Sequence, residues 1–157
     1  MSVIDQKLAS LGIVLPVPVA PIANYVPFVL IGRSLYISGQ LAIGQDGKLS
    51  DAHKGKLGGT VDKLAGQAAA RLCVINLLAQ AKAALGNLDR IARVVRLGGF
   101  INVEPDYIDV PFVMNGASDL AVEIFGDKGR HARSTVGVAS LPLGCAVEVE
   151  ALFDIDA

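Results

Sequence analysis

The strongest candidate for chemistry in this sequence is an arginine at the start of an apolar strand. Residues 129–135 read Gly-Arg-His-Ala-Arg-Ser-Thr, and Arg133 stands where the strand begins. A guanidinium group donates two parallel hydrogen bonds to one carboxylate, so an arginine pointing into a cleft there would bind a small carboxylic acid. The same residues could instead form a solvated loop with two surface arginines, and the pattern alone does not decide between these interpretations.

Two glutamates near the C-terminus could transfer protons. Glu148 and Glu150 alternate with apolar residues in the last predicted strand, so both lie on one face of it. On a free face they would be ordinary solvent-facing carboxylates. If that face is a subunit interface, desolvation would raise the pKa of one of them towards neutrality, and such a group can carry protons to and from water.

Three further polar residues occur in unusual contexts. Asn115 interrupts the apolar stripe of a predicted helix, and Tyr25 and Ser38 stand near the ends of two predicted hairpin strands. Asn115 could simply be exposed, and the other two could be ordinary core or edge residues.

No motif for a metal or a cofactor is recognisable. The sequence contains no phosphate-binding loop, dinucleotide fingerprint, HExxH or GxSxG. His53 and His131 lack metal-ligand spacing, and Cys73 and Cys145 match no CxxC pattern. We therefore expect no metal and no cofactor, with both cysteines reduced and buried.

The elements that position these residues follow from hydrophobic periodicity and turn residues. We expect a short helix over 3–11, a hairpin of 24–31 and 34–38, a helix over 61–85, a strand over 90–103, a helix from Pro111, and two final strands joined by 141–144. After the first helix the order is β-β-α-β-α-β-β. Two helices are too few to cover both faces of such a sheet, so an α+β fold with both helices on one face is expected.

Several local details are also predicted. Thr60 would cap the helix over 61–85, and Leu64 and Ala68 would belong to its buried side. Gly98-Gly99 would mark a kink or bulge in the long strand, and residues 42–60, with five glycines, would form an exposed loop.

The composition favours an oligomer of a single domain. Apolar residues make up 52% of the 157 residues and charged residues 18%, against roughly 25% charged in an average chain. A small domain cannot hide this much apolar surface within itself, so a buried subunit interface is expected. The whole chain, 1–157, reads as one domain with residues 1–20 as an N-terminal extension.

Membrane, secretory and nucleic-acid functions are disfavoured. The most apolar stretch, 12–31, contains four prolines, which a spanning helix would not tolerate, and the N-terminus is unlike a signal peptide. The net charge of −1 gives no general attraction for nucleic acid. We expect a cytoplasmic protein.

Six short segments resemble, in order, the signature of the Rid (YjgF) family. They are Pro-Ile-Ala-Asn-Tyr at 21–25, Tyr-Ile-Ser-Gly-Gln at 36–40, Val-Met-Asn at 113–115, Ala-Arg-Ser-Thr-Val at 132–136, Val-Ala-Ser-Leu-Pro at 138–142 and Val-Glu-Val-Glu-Ala at 147–151. The chain departs from the usual pattern at His131, where family members often have proline, at Thr135, where cysteine is frequent, and at Gly137, where glutamate is frequent.

The resemblance implies a chorismate-mutase-like fold in a homotrimer with clefts between the subunits. It implies hydrolysis of reactive enamines and imines of the 2-aminoacrylate type to 2-keto acids, with release of ammonia. By similarity Arg133 would bind the substrate carboxylate and Glu148 would position or activate water. Tyr25, Ser38, Asn115 and Thr135 would line the cleft.

Two alternatives stay open. The chain could be a non-catalytic trimer that binds small carboxylic acids as a regulator. A ribonuclease is less favoured: Arg90, Arg93 and Arg96 recur with period three, but on a regular strand they would fall on alternating faces, with no aromatic platform beside them.

Overall fold

The fold is built on one five-stranded sheet that carries its helices on a single face. A computed structural model describes residues 1–156. The strands are β1 (Phe28–Ile31), β2 (Ser34–Leu41), β3 (Ile91–Asn102), β4 (Ala132–Val138) and β5 (Val147–Ile155), and the helices are α1 (Val3–Ser10), α2 (Lys63–Leu85) and α3 (Val110–Phe125). The sheet order is β1-β2-β5-β3-β4, with only the β3–β4 pair parallel. The expected α+β architecture is confirmed.

The last strand shows how the sequence determines which face is buried. β5 is the middle strand, and its apolar residues, from Val147 to Ile155 at every second position, are buried beneath the helices. Glu148 and Glu150 point to the opposite face, which we call the outer face. Helix α3 is equally regular, because its apolar stripe from Val113 to Phe125 is buried as predicted.

Helix α2 differs from its prediction at its start and in its orientation. Asp62, not Thr60, is the N-cap: its Oδ1 accepts hydrogen bonds of 2.9 Å from the backbone N–H groups of Leu64 and Ala65. An ionised carboxylate at this position also interacts favourably with the helix dipole. Leu64, predicted to be buried, is 67% exposed, and Ala68 is exposed. The side that packs on the sheet begins instead at Ala69 and Ala70.

The N-terminal segment explains why α2 has no single apolar stripe. The Asp89 carboxylate accepts hydrogen bonds from the first N–H groups of α1, and Asp5 forms a 2.9 Å ion pair with Lys82 on α2. The chain beyond α1 then packs over Leu72 and Ile75, so α2 has a second covered side. Among the described residues, α2 is the helix long and apolar enough to cross a membrane, but most of its apolar window is buried in the domain, as in a core helix.

Residues 42–60 form a largely exposed loop, as predicted, but three of the apolar residues in this loop are buried in the core. Ala42, Ile43 and Leu57 are buried, and the backbone of residues 53–57 is hydrogen-bonded to β3, to residue 104 and to the segment before β5. The five glycines permit tight turns, and the apolar residues between them fill the end of the core. This segment therefore covers one end of the sheet.

The irregularities of β3 also lie elsewhere than predicted. The register with β5 shifts between Ile91 and Arg93 and again between Val94 and Arg96, whereas Gly98 and Gly99 pair regularly. The two glycines serve close packing instead: a Cβ at Gly98 would stand 2.7 Å from the Glu150 carboxylate, and one at Gly99 would collide with the sulfur of Met114.

Candidate functional site

Arg133 lies beneath the edge of the sheet, on the face that carries the helices. It follows directly after the start of β4, where it pairs with the buried Leu97 of β3, so its side chain points towards α3. Its Nη1 donates to Asn115 Oδ1 at 2.9 Å and to Ser118 Oγ at 3.1 Å, and its Nη2 donates to the Pro111 carbonyl at 3.3 Å. The first three turns of α3 therefore hold the guanidinium.

None of these acceptors is an acid. Within residues 1–156, Arg133 forms no ion pair, in contrast to Arg33, Arg71 and Arg96, each of which contacts a carboxylate. A half-buried cation without a counter-ion is costly and is a natural binding site for an anion. The site is therefore preorganised and positively charged.

The side chain of Thr135 points to the same face of the sheet as the side chain of Arg133. Its Oγ1 is buried without a hydrogen-bond partner among the described residues. A buried hydroxyl without a partner costs about 1–3 kcal/mol, and a ligand or a second subunit would supply the missing bond. We call Asn115, Ser118, His131, Arg133 and Thr135 the Arg133 cluster.

A second group of the predicted residues lines a small pocket beside β2. Tyr25 and Ser38 are both in its wall, together with Val19, Pro21, Pro27 and Gly39. Ser38 and Gly39 fall in a β-bulge, where the register of β2 with β5 shifts between Ile37 and Gln40. Gln40 in turn contacts Gln80 of α2, whose amide donates to the Val19 carbonyl at 2.9 Å. We call this the Tyr25 pocket.

Glu148 approaches one residue in the wall of that pocket, Gly39. Its carboxylate lies directly over Gly39, in the space that a Cβ at position 39 would occupy. Burial raises the pKa of Glu148, and the neighbouring charge of Glu150 raises it further. A raised pKa makes the carboxylate of Glu148 a stronger base than an ordinary surface carboxylate, which favours a role in accepting a proton.

The two groups do not meet within one subunit. Glu148 pairs with Phe100 of β3, which pairs with Val136 of β4, whereas Arg133 is three residues before Val136. Two strand spacings across and three residues along give a backbone separation of about 14 Å between Arg133 and Glu148. Their side chains also leave opposite faces of the sheet. The structure thus brings Tyr25 and Ser38 into one pocket, with Glu148 against Gly39 in its wall, and Asn115 beside Arg133 with Thr135 on the same face of β4, but it does not bring these two groups together.

The arginines of β3 depart from the expected alternation. Because the register shifts between Val94 and Arg96, Arg93 pairs with Asp154 and Arg96 with Leu152, which places both arginines on the outer face. This face is nevertheless not a bare basic surface. Arg96 forms a 3.0 Å ion pair with Glu150, and Arg33 forms a 2.8 Å ion pair with Asp154.

Sequence reasoning missed three members of the site. Ser118 follows Asn115 by three residues on α3, a spacing that places both side chains on one helix face and could have identified it. His131 lacks metal-ligand spacing and stands where Rid proteins often have proline, and neither feature indicates a contact with Ser118. Gly39 carried no signal beyond its place in the Ser-Gly-Gln segment, because its role depends on the approach of Glu148 from another strand.

Comparisons with known proteins agree with this fold. Residues 5–154 match the family model described as "YjgF/chorismate mutase-like, putative endoribonuclease". Protein TCP17 of Trypanosoma cruzi is 47% identical over 154 residues, which span 98% of this chain and 94% of that protein.

Two solved structures superpose closely. The protein Atu1372 of Agrobacterium tumefaciens, of unknown function, has a TM-score of 0.90 and 46% identity over 98% of this chain and 93% of its own. A protein of Shewanella oneidensis, described as a "putative endoribonuclease", has a TM-score of 0.92 and 38% identity over 97% of this chain and 99% of its own. The family model and the Shewanella protein are thus described with a putative activity on RNA, and the names of TCP17 and Atu1372 state no substrate.

Proposed function

Since the chain belongs to the YjgF/chorismate mutase-like family, we propose that it is an enamine/imine deaminase that hydrolyses 2-aminoacrylate-type intermediates to 2-keto acids and ammonia. The observation that carries the proposal is the uncompensated, half-buried guanidinium of Arg133, which α3 holds in place. All substrates of this reaction carry a carboxylate beside the reacting carbon. An anchor for that carboxylate is the first requirement of such a site.

We further propose that the site forms between subunits of a homotrimer. Arg133 lies on the edge strand β4 and Glu148 on the outer face, so a second copy packed against both would bring them together. The outer face and edge also expose apolar residues suited to an interface: Val29, Leu30, Tyr36, Val95 and Val136 are all at least 36% exposed. Assembly would bury these residues, in accordance with the excess apolar composition.

In the proposed reaction, Arg133 binds the carboxylate of the imine and thereby fixes the position of the C=N carbon. Glu148 accepts a proton from water as the oxygen adds to that carbon. The protonated imine thereby becomes a neutral carbinolamine. Glu148 passes its proton to the nitrogen, the C–N bond breaks to release ammonia, and the hydroxyl proton moves to Glu148 and then to solvent as the oxygen becomes the carbonyl of the 2-keto acid. A carboxyl group with a raised pKa suits both steps, because the best proton-transfer groups titrate near the working pH.

The test is a coupled assay. A PLP-dependent dehydratase generates 2-aminoacrylate from serine, and pyruvate formation is followed with and without the protein. We expect acceleration by the wild type and its loss in Arg133→Ala. Arg133→Lys should also fail, because a lysine cannot form the bidentate pair. Arg130→Ala is the matched control, since this exposed arginine lies three residues away and its side chain pairs with Asp127.

Two results would argue against the proposal in different ways. Near-wild-type turnover by Arg133→Ala would remove Arg133 from the reaction. No acceleration by a folded wild-type protein that still binds a 2-keto acid would indicate a carboxylate-binding protein without catalysis. The absence of glutamate at position 137, where Rid proteins often carry it, makes this second outcome the relevant alternative.

A further inference from the structure

His131 is connected to Arg133 through a single serine hydroxyl. The His131 Nδ1 atom lies 2.6 Å from the carbonyl oxygen of Gly129, and its Nε2 lies 2.9 Å from Ser118 Oγ. The same Oγ lies 3.1 Å from Arg133 Nη1. The three side chains therefore form a continuous hydrogen-bonded chain between the start of β4 and α3.

Only one arrangement of hydrogens satisfies these contacts when the imidazole is neutral. A carbonyl oxygen can only accept, so Nδ1 of His131 carries the hydrogen and Nε2 presents a lone pair. Arginine can only donate, so Ser118 accepts from Arg133 and directs its own hydrogen to Nε2. Every bond then points the same way, from Arg133 through Ser118 to His131, and bonds aligned in this manner polarise one another.

Close packing of Gly129 fixes the His131 end of this hydrogen-bond network. Gly129 is buried against the backbone of α3, where a Cβ would stand 2.9 Å from the Cα of Val122 and would collide with the Ala121 carbonyl. The carbonyl that orients the His131 ring is therefore held against the same helix that carries Ser118. Ring, hydroxyl and guanidinium all take their positions from α3.

The hydrogen bonds from Arg133 to Ser118 and Asn115 determine which edge of the guanidinium remains free to bind a ligand. Nη1 has two hydrogens, and Asn115 and Ser118 accept both. The remaining bidentate edge is formed by Nε, which makes no hydrogen bond within residues 1–156, and Nη2, which uses one of its two hydrogens on Pro111. A carboxylate fits such an edge with two parallel hydrogen bonds.

We propose that His131 is a positioning residue for carboxylate binding: through Ser118 it holds the Nη1 corner of Arg133, so that the Nε–Nη2 edge faces the substrate. The inference rests on the proposed function, because it requires Arg133 as the anchor. Rid proteins often have proline at the position of His131, so we expect this positioning of the arginine only in family members that have both the histidine and the serine.

The experiment is a double-mutant cycle on His131→Phe and Ser118→Ala, read as KM and kcat for 2-aminoacrylate hydrolysis and as Kd for 2-oxobutyrate. Each single variant should raise KM and Kd roughly three- to tenfold, the effect of one lost hydrogen bond, with kcat nearly unchanged. The double variant should resemble either single one, because both break the same chain. His131→Gln, whose side-chain oxygen can accept from Ser118, should recover most of the affinity.

Other results would overturn the inference. If His131→Phe and Ser118→Ala have additive effects, or if His131→Phe lowers the melting temperature but leaves KM and Kd unchanged, His131 contributes only packing. If His131→Phe does not fold, Ser118→Ala and His131→Gln still decide the matter through Kd. A wild type that neither turns over the substrate nor binds 2-oxobutyrate would refute the proposed function itself, whereas normal wild-type behaviour with unaffected variants would refute only the role of His131.

Discussion

Arg133 and Glu148 can act on one small substrate only if they come from different subunits, and mixed trimers test this directly. The two residues lie on opposite faces of the sheet with a backbone separation of about 14 Å. A 2-iminocarboxylate is far smaller than that distance. Arg133→Ala and Glu148→Ala subunits, each inactive alone, should therefore complement each other when unfolded together and reassembled.

The expected magnitude follows from the geometry. In the proposed trimer with cyclic symmetry, each site would take Arg133 from one subunit and Glu148 from its neighbour. In a random one-to-one mixture, a site is intact when the subunit that supplies Arg133 is the Glu148 variant and the subunit that supplies Glu148 is the Arg133 variant. That combination has a probability of one half times one half, so the mixture should have about a quarter of wild-type activity.

A second mixture separates this arrangement from a site within one subunit. Wild type mixed one-to-one with the Arg133→Ala/Glu148→Ala double variant should also have about a quarter of wild-type activity if sites are shared, but about half if each subunit holds its own site. Activity is measured by pyruvate formation, and native mass spectrometry confirms that hybrids have formed. Hybrid trimers of the two single variants without activity would refute the shared site.

Three further predictions concern residues around Glu148. Gly39→Ala should lower turnover with little loss of stability, because the new methyl group displaces only the flexible end of Glu148, and kcat together with the melting temperature checks this. The pKa of Glu148 is raised above 4.5, so just above pH 4.5 the folded protein keeps a proton that the unfolded protein has lost, and the free energy of unfolding decreases as the pH rises from 4.5 to the pKa of the folded state. Urea unfolding at several pH values should show this decrease in the wild type and in the control variant of an exposed residue, Asp106→Asn, but not in Glu148→Gln. Cys73 and Cys145 are fully buried with raised pKa values, so neither should react with a thiol reagent until the protein is unfolded, and rapid labelling of the native protein would contradict this.

The buried faces of those strands and helices whose apolar residues recur with a single regular spacing were predictable from the sequence. β5 alternates strictly and α3 has a continuous stripe, and in both cases the residues expected inside are buried. A single partner surface covers each of them, so one period describes the whole element. The resemblance to the Rid family was likewise confirmed, because the matching segments extend over most of the chain.

Elements covered from two sides or paired irregularly were not predictable. α2 packs on the sheet with Ala69 and Ala70 and beneath the N-terminal segment with Leu72 and Ile75, so its apolar residues surround much of the helix. The register shift before Arg96 turns that arginine to the same face as Arg93. Neither the covering segment nor the shift leaves a local signal, since each depends on contacts with distant parts of the chain.

For the candidate site, the sequence by itself determined which functional groups are present. These are an arginine that can bind a carboxylate at the start of one strand and a glutamate that can transfer a proton on another strand. Only the tertiary structure decided their relation. The pairing of β3 with β4 and β5 places Arg133 on the helix face and Glu148 on the outer face, and the packing of α3 against β4 brings Asn115, Ser118 and His131 to the arginine. Side-chain direction along one strand is a local property with period two, but which side of the sheet it faces is set by pairing and packing between distant segments.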